Sequence, residues 1–231
     1  MTAWEALDDR VAAVARWGAA LRGKRLLHPA GATFDGTFTV TPVTSRGVPF
    51  LDEPGEYRAL VRLSKATSTP PGWPDVLGLA WRVLDAGGPG VPVDVALSST
   101  GRAVVLRHLL MPRRDFATTT FTSLLPYRIG DRNRYLAAIP EETSPKLPAD
   151  VPALRAAIAA RPFVLSVFVA DLASPWHPVG TLRVERPSEE DPAFDVIGNV
   201  LPGFAPAGRL NHLRDPAYRG SRTGREPAGR G

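Results

Sequence analysis

EYRALVRLS, residues 56–64, alternates along its length: Ala59, Val61 and Leu63 fall on one side, Leu60, Arg62 and Ser64 on the other. A period of two predicts a β-strand, because successive side chains of an extended chain point to opposite faces. Working outward, TFTVTPV (37–43), VLGLAWRVLD (76–85) and VDVALSS (93–99) are rich in the same β-branched and aromatic residues and read as strands too. DEPGE (52–56), STPPGWPD (68–75) and DAGGPG (85–90) supply turns between them. FVLSVFVAD (163–171) and VGTLRVER (179–186) are later strands, and FDVIGN (194–199) is a candidate for another. Many short strands joined by Pro/Gly turns imply a closed antiparallel sheet.

The helical signals lie around this sheet. Thr2 and Glu5 form a capping box, and Trp4, Leu7, Val11, Val14, Gly18 and Leu21 recur at spacings of three and four, which predicts an amphipathic N-terminal helix ending at Gly23. Asp150 caps VPALRAAIAA (151–160), with Leu154 and Ile158 on one face and Pro162 as the stop. The stretch 101–145 reads as an irregular insert with a short helix around 132–139. A further helical turn or two is expected within 207–220. The fold class is therefore α+β, mainly β: a closed antiparallel β-barrel with an N-terminal helix, a helical insert and a short C-terminal helix.

Composition narrows the chemistry. The chain has 231 residues, 44% hydrophobic and 22% charged, enough for one domain with a real core. It has no cysteine, which excludes disulfides, thiolate metal sites and thiol catalysis and is compatible with a cytoplasmic location. The early acidic residues and the lack of an apolar run do not fit a secretory leader, and no stretch approaches the roughly 18 apolar residues of a membrane span. The net charge of +5 is weighted to the tail, with Arg219, Arg222, Arg225 and Arg230. That Gly/Arg-rich tail, 219–231, reads as disordered. The body shows no basic face interleaved with aromatics, so no nucleic-acid partner is expected.

Few residues are placed to do chemistry. RLLHPAGATFDGTFTV (25–40) sets Arg25 and His28 just ahead of the first strand. Arg62 and Ser64 share a strand face, which meets either solvent or a polar cavity. No G-x-S-x-G, P-loop or H-E-x-x-H is present. His108 and His177 lack carboxylates at metal-ligand spacing, and RHLLMPRRD (107–115) is either an anion site or a solvated face. Clustered Asp/His ligands for a two-metal phosphodiesterase are not found.

In this frame RLLHPAGATFDGTFTV resembles the distal segment of heme catalases, where R-x-x-H precedes a small-residue run and the first barrel strand. VRLS (61–64) is similar to the family's V-R-F-S strand. PDVLGLAWRVLD (74–85) resembles its D-x-x-G-x-A strand at Asp75, Gly78 and Ala80, and VDVALSST (93–100) looks like the strand that follows. The four motifs cover residues 25–100 in the family's order. The chain is much shorter than a typical catalase and looks more like the small bacterial catalase-like proteins, with residues 1–218 as a single catalase-like barrel domain.

The resemblance implies a heme b cofactor and weak peroxidase or catalase-type activity on hydrogen or organic peroxides. His28 would be the distal base, moving a proton from bound peroxide to the leaving oxygen, and Ser64 would hydrogen-bond it. Arg25 and Arg62 would pair with the heme propionates, a task suited to the guanidinium fork. Ser98 and Ser99 stand where the family has its distal asparagine. On the proximal side the family uses R-x-x-x-Y, with tyrosinate on iron. Two registers of 201–225 compete: one places Arg214 and Tyr218 in these roles, the other leaves no iron ligand at all. His212 is a third candidate. The alternative to a heme enzyme is a heme-free barrel acting as a binding protein or a hydrolase, since such relatives are sometimes labelled phosphodiesterase. The expected partner is a small-molecule peroxide, and a homo-oligomer is left open.

Overall fold

The computed structural model describes residues 30–142, 144 and 146–207. Ten strands run in chain order: β1 Ala30–Val40, β2 Gly55–Lys65, β3 Leu77–Val83, β4 Val93–Thr100, β5 Thr120–Thr122, β6 Tyr127–Ile129, β7 Arg132–Pro140, β8 Phe163–Ala170, β9 His177–Pro187 and β10 Phe204–Pro206. Two short helices, α1 Pro49–Asp52 and α2 Val151–Ala160, interrupt them. Neighbouring strands pair antiparallel in the order β5-β4-β3-β2-β1-β9-β8, and β7 pairs with both β8 and β5. Those eight strands close a barrel, which leaves them without free edges. β6 and β10 extend from β7 as a small flap.

The alternation read in the sequence sets the barrel's two faces. Phe34, Phe38, Val61, Leu63, Leu79, Trp81 and Val95 turn inward and are almost fully buried. Each large side chain of this kind contributes about 1.5–3 kcal/mol relative to leaving it in water. Closure between β1 and β9 depends on two close approaches. A Cβ on Gly36 would stand 2.3 Å from the Arg183 carbonyl oxygen, and one on Gly180 would stand 2.2 Å from that of Thr39. Asp150 caps α2 by accepting a hydrogen bond from the Ala153 amide at 3.0 Å, and Leu154 and Ile158 are buried as the helix packs on β9 and β1.

Two expectations are corrected. The helix expected around 132–139 is β7, whose Tyr135 to Ala138 are buried between β5 and β8, so packing on both faces overrides the helix preference of its alanines. FDVIGN is a turn: Asp195 accepts from the amides of Ile197 at 3.2 Å and Gly198 at 2.8 Å and curls the segment on itself. The expected terminal helices, and the tail 219–231, lie outside the described residues. Among the described residues no helix is long and apolar enough to cross a membrane.

Candidate functional site

The outer face of β1–β4 is built from small residues. Register places Gly31, Ser64, Gly78 and Ser98 side by side on four adjacent strands, and Thr33, Arg62, Ala80 and Ala96 in the next row on the same face. At about 4.8 Å between strands, each row spans roughly 14 Å. Apart from Arg62, nothing larger than the threonine side chain of Thr33 stands in either row. Ser64 and Ser98 are 5% and 8% exposed, while Gly31, Ala80 and Ala96 are half-buried. The result is a lightly polar face of small residues with one guanidinium at its β1–β2 edge.

That guanidinium is engaged. Arg62 Nη1 donates to Asp191 Oδ1, which also accepts from Thr33 Oγ1 at 2.8 Å. Asp191 comes from the loop after β9, pinned to β1 by the Ser188 amide on the Thr33 carbonyl at 2.9 Å. Arg62 Nη2 leans over Gly31, where an added Cβ would lie 3.2 Å from it and 2.8 Å from the Leu63 carbonyl oxygen. Ser64 Oγ lies 3.5 Å from the Gly78 carbonyl oxygen, at the limit of a hydrogen bond.

The two serines at the asparagine position separate. Ser98 shares the outer face with Ser64. Ser99 has the opposite parity, and its hydroxyl is committed to structure: Oγ accepts from the Leu77 amide at 2.9 Å and donates to the Met111 carbonyl at 2.7 Å. Asp75 is likewise a scaffold residue. It accepts from both the amides and the hydroxyls of Thr67 and Thr69 and ties down the loop between β2 and β3. Burial pushes its pKa up, but these hydrogen bonds outweigh it and hold the carboxyl below the ordinary aspartate range.

The Arg-rich stretch 107–115 divides. Arg107 is buried, bonds the carbonyls of Asp171 and Ser174, and lies 4.2 Å over the Trp176 ring. Arg114 is exposed. His108 packs edge-on to Tyr135 at 4.7 Å, its Nδ1 3.4 Å from the Leu124 carbonyl oxygen. His177 opens β9 and is exposed. Among the described residues no group of three His, Asp or Glu is arranged for a metal ion.

Thus Arg62, Ser64 and Ser98 come together on one face, and Ser99 does not. Arg25, His28, His212, Arg214 and Tyr218 lie outside the described residues. Sequence reasoning missed Asp191 and Thr33. Thr33 carried a usable signal, sharing the parity of Gly31 on the first strand. Asp191 carried none, since only the fold brings it 158 positions back to β1.

No protein-family model matches the sequence, and no curated protein matches it. Solved structures do. The fold is similar to that of a fungal catalase with a TM-score of 0.57 at 13% identity, covering 84% of this chain and 59% of that one. It is similar to a bacterial catalase with a TM-score of 0.62 at 14% identity, covering 86% of this chain and 57% of that one. The chain spans less than two thirds of either catalase. At these identities the likeness is one of fold. The chain is built on the catalase-type β-barrel.

Proposed function

We propose that the outer face of β1–β4 holds a heme b and that the protein is a weak peroxidase or catalase-type enzyme. One observation carries this reading: Arg62 and Ser64, from one catalase-like motif, share an outer face of a catalase-type barrel with Ser98, which stands where that family has its distal asparagine. The residue types are compatible with a ring, because Gly31, Gly78, Ala80 and Ala96 carry no long side chain on this face. Arg62, with Arg25, would pair with the propionates, and Tyr218 with Arg214 would hold the iron. When bound, heme supplies the redox chemistry that breaks a peroxide O–O bond.

The chain's own residues do the rest. His28 acts as the base that carries a proton from one peroxide oxygen to the other, which requires a neutral imidazole held in one tautomer. Ser64 holds that tautomer. Ser98 offers peroxide one hydrogen bond with a shorter reach than an asparagine amide. Disproportionation of hydrogen peroxide is then slow, and the space left favours organic peroxides.

The test is a hemin titration of the full chain followed by visible absorption, with Tyr218→Phe and His28→Ala beside it. The expected result is saturable binding with a high-spin, phenolate-type spectrum that Tyr218→Phe changes. His28→Ala should keep the spectrum and lose peroxide turnover. A wild-type chain that takes up no hemin specifically would sink the reading. A second reading, a heme-free binding or hydrolytic barrel, is favoured by the Arg62–Asp191 pair, which already satisfies the cation a propionate would need.

A further inference from the structure

We infer that Asp191 selects ligands at this face by charge, because its carboxylate occupies the seat that Arg62 offers to a ligand's carboxylate. The inference rests on the reading of the face as a tetrapyrrole site and concerns which tetrapyrroles it accepts. Asp191 Oδ1 takes both Arg62 Nη1 and the Thr33 hydroxyl. The loop that carries it is fixed at the Ser188 amide and by the Glu190 amide on Ser188 Oγ at 3.2 Å, so the carboxylate is delivered to the face and does not reach it by chance.

Exposure gives the pair a direction. The Arg62 side chain is 18% exposed and that of Asp191 57%. The cation is sunk into the face, and the anion closes it from the solvent side. Arg62 Nη2 leans over Gly31. An anionic group arriving there meets a cation already neutralised and a like charge beside it, or must displace Asp191. A planar ring without a carboxylate at this edge meets neither cost. Asp191 therefore weakens the hold on free propionates, without excluding them, relative to a ring whose acids are esterified.

The experiment compares hemin with hemin dimethyl ester, which presents the same ring without its two acids. Both are titrated into the full-length wild type, Asp191→Asn, Arg62→Gln and the double variant, with the Soret band as readout and far-UV circular dichroism as the folding control. Asp191→Asn should tighten hemin binding roughly two- to fivefold, the range of a part-exposed charge pair, and leave the ester unchanged. Higher salt should narrow the difference. In the Arg62→Gln background the gain from Asp191→Asn should shrink, since the seat itself is gone. If Asp191→Asn binds hemin no better than a wild type that does bind it, charge selection is overturned and the heme reading stands. If no folded variant binds either ring, the tetrapyrrole reading falls and takes the inference with it.

Discussion

Arg82 and Asp94 meet across β3 and β4 in a two-pronged pair, Nε to Oδ1 at 2.7 Å and Nη2 to Oδ2 at 2.7 Å. The Asp94 side chain is fully buried, and it also accepts from the Asp195 amide at 2.6 Å and from Asn199 Nδ2 at 2.9 Å. Arg82 reaches the Ala193 carbonyl and lies 5.6 Å over the Phe194 ring. One ion pair thus fastens the segment 193–199 to the barrel. Removing one partner strands the other charge together with several donors. Asp94→Asn should cost about 3 kcal/mol, read from the shift of a urea midpoint, and should loosen 193–199 to proteolysis. A midpoint within error of wild type would show that the segment is held by other contacts.

Asp75 gives an acid-range prediction. Its folded pKa is depressed: burial works against this, and the donors from Thr69 and Thr67 prevail. A depressed carboxylate contributes stability that is present above its unfolded pKa of about 3.9 and is lost as pH falls through the lower folded value. Asp75→Asn should therefore destabilise the protein at neutral pH, by about 1–3 kcal/mol for the mispaired donors. The deficit should close as pH descends below the ordinary aspartate range. Denaturant midpoints of the two proteins measured down the acid limb decide it, and parallel curves would rule out this source of acid sensitivity.

Much of this architecture was legible because the barrel writes itself in alternation. Ala59, Val61 and Leu63 face in where Arg62 and Ser64 face out, and Asp150 caps the helix its position predicts. The same rule separates Ser98 from Ser99, since Val93, Val95 and Leu97 give the inward parity. The two serines read as equivalent only while the neighbouring residues are ignored. β7 was illegible for a physical reason: buried on both faces, it shows no alternation, and its alanines favour helix in isolation. Asp191 was illegible for another, because a carboxylate in an acidic, proline-containing loop reads as solvated until long-range packing sets it on β1.

The split between the serines makes a paired prediction. Ser98 lies on the outer face beside Gly78, with the small residues Ala80 and Ala96 in the adjacent row, so an asparagine there projects over the face and not into the barrel wall. If the protein is the peroxidase proposed above, Ser98→Asn should raise the rate on hydrogen peroxide relative to a bulky organic peroxide, by supplying a second donor. Ser99→Asn should give no such gain. Loss of its fitted hydroxyl leaves the Leu77 amide short of an acceptor inside the barrel wall, at about 1–3 kcal/mol. Steady-state rates on both peroxides, with thermal melts, separate the two effects. Equal changes in selectivity from both variants would contradict the assignment of faces.

His108 supplies the last prediction, around neutral pH. Burial holds its imidazole pKa below the usual histidine value; the Leu124 carbonyl opposes this, and the neighbouring Arg107 charge adds to it. Its Nε2 is buried with no hydrogen-bond partner among the described residues, so a proton there would enter an unsolvated site. Above the unfolded pKa of about 6.5 both states are neutral and the group adds no pH dependence. As pH falls through that value the unfolded chain takes up a proton that the folded chain resists, and stability drops until the folded pKa is passed. His108→Gln should lose about 1 kcal/mol at pH 7.5 with the ring contact to Tyr135, yet decline less steeply from pH 7 to 5. Urea midpoints across that interval test it directly: wild type and variant should converge toward pH 5, and a slope unchanged by the substitution would assign the sensitivity to other groups.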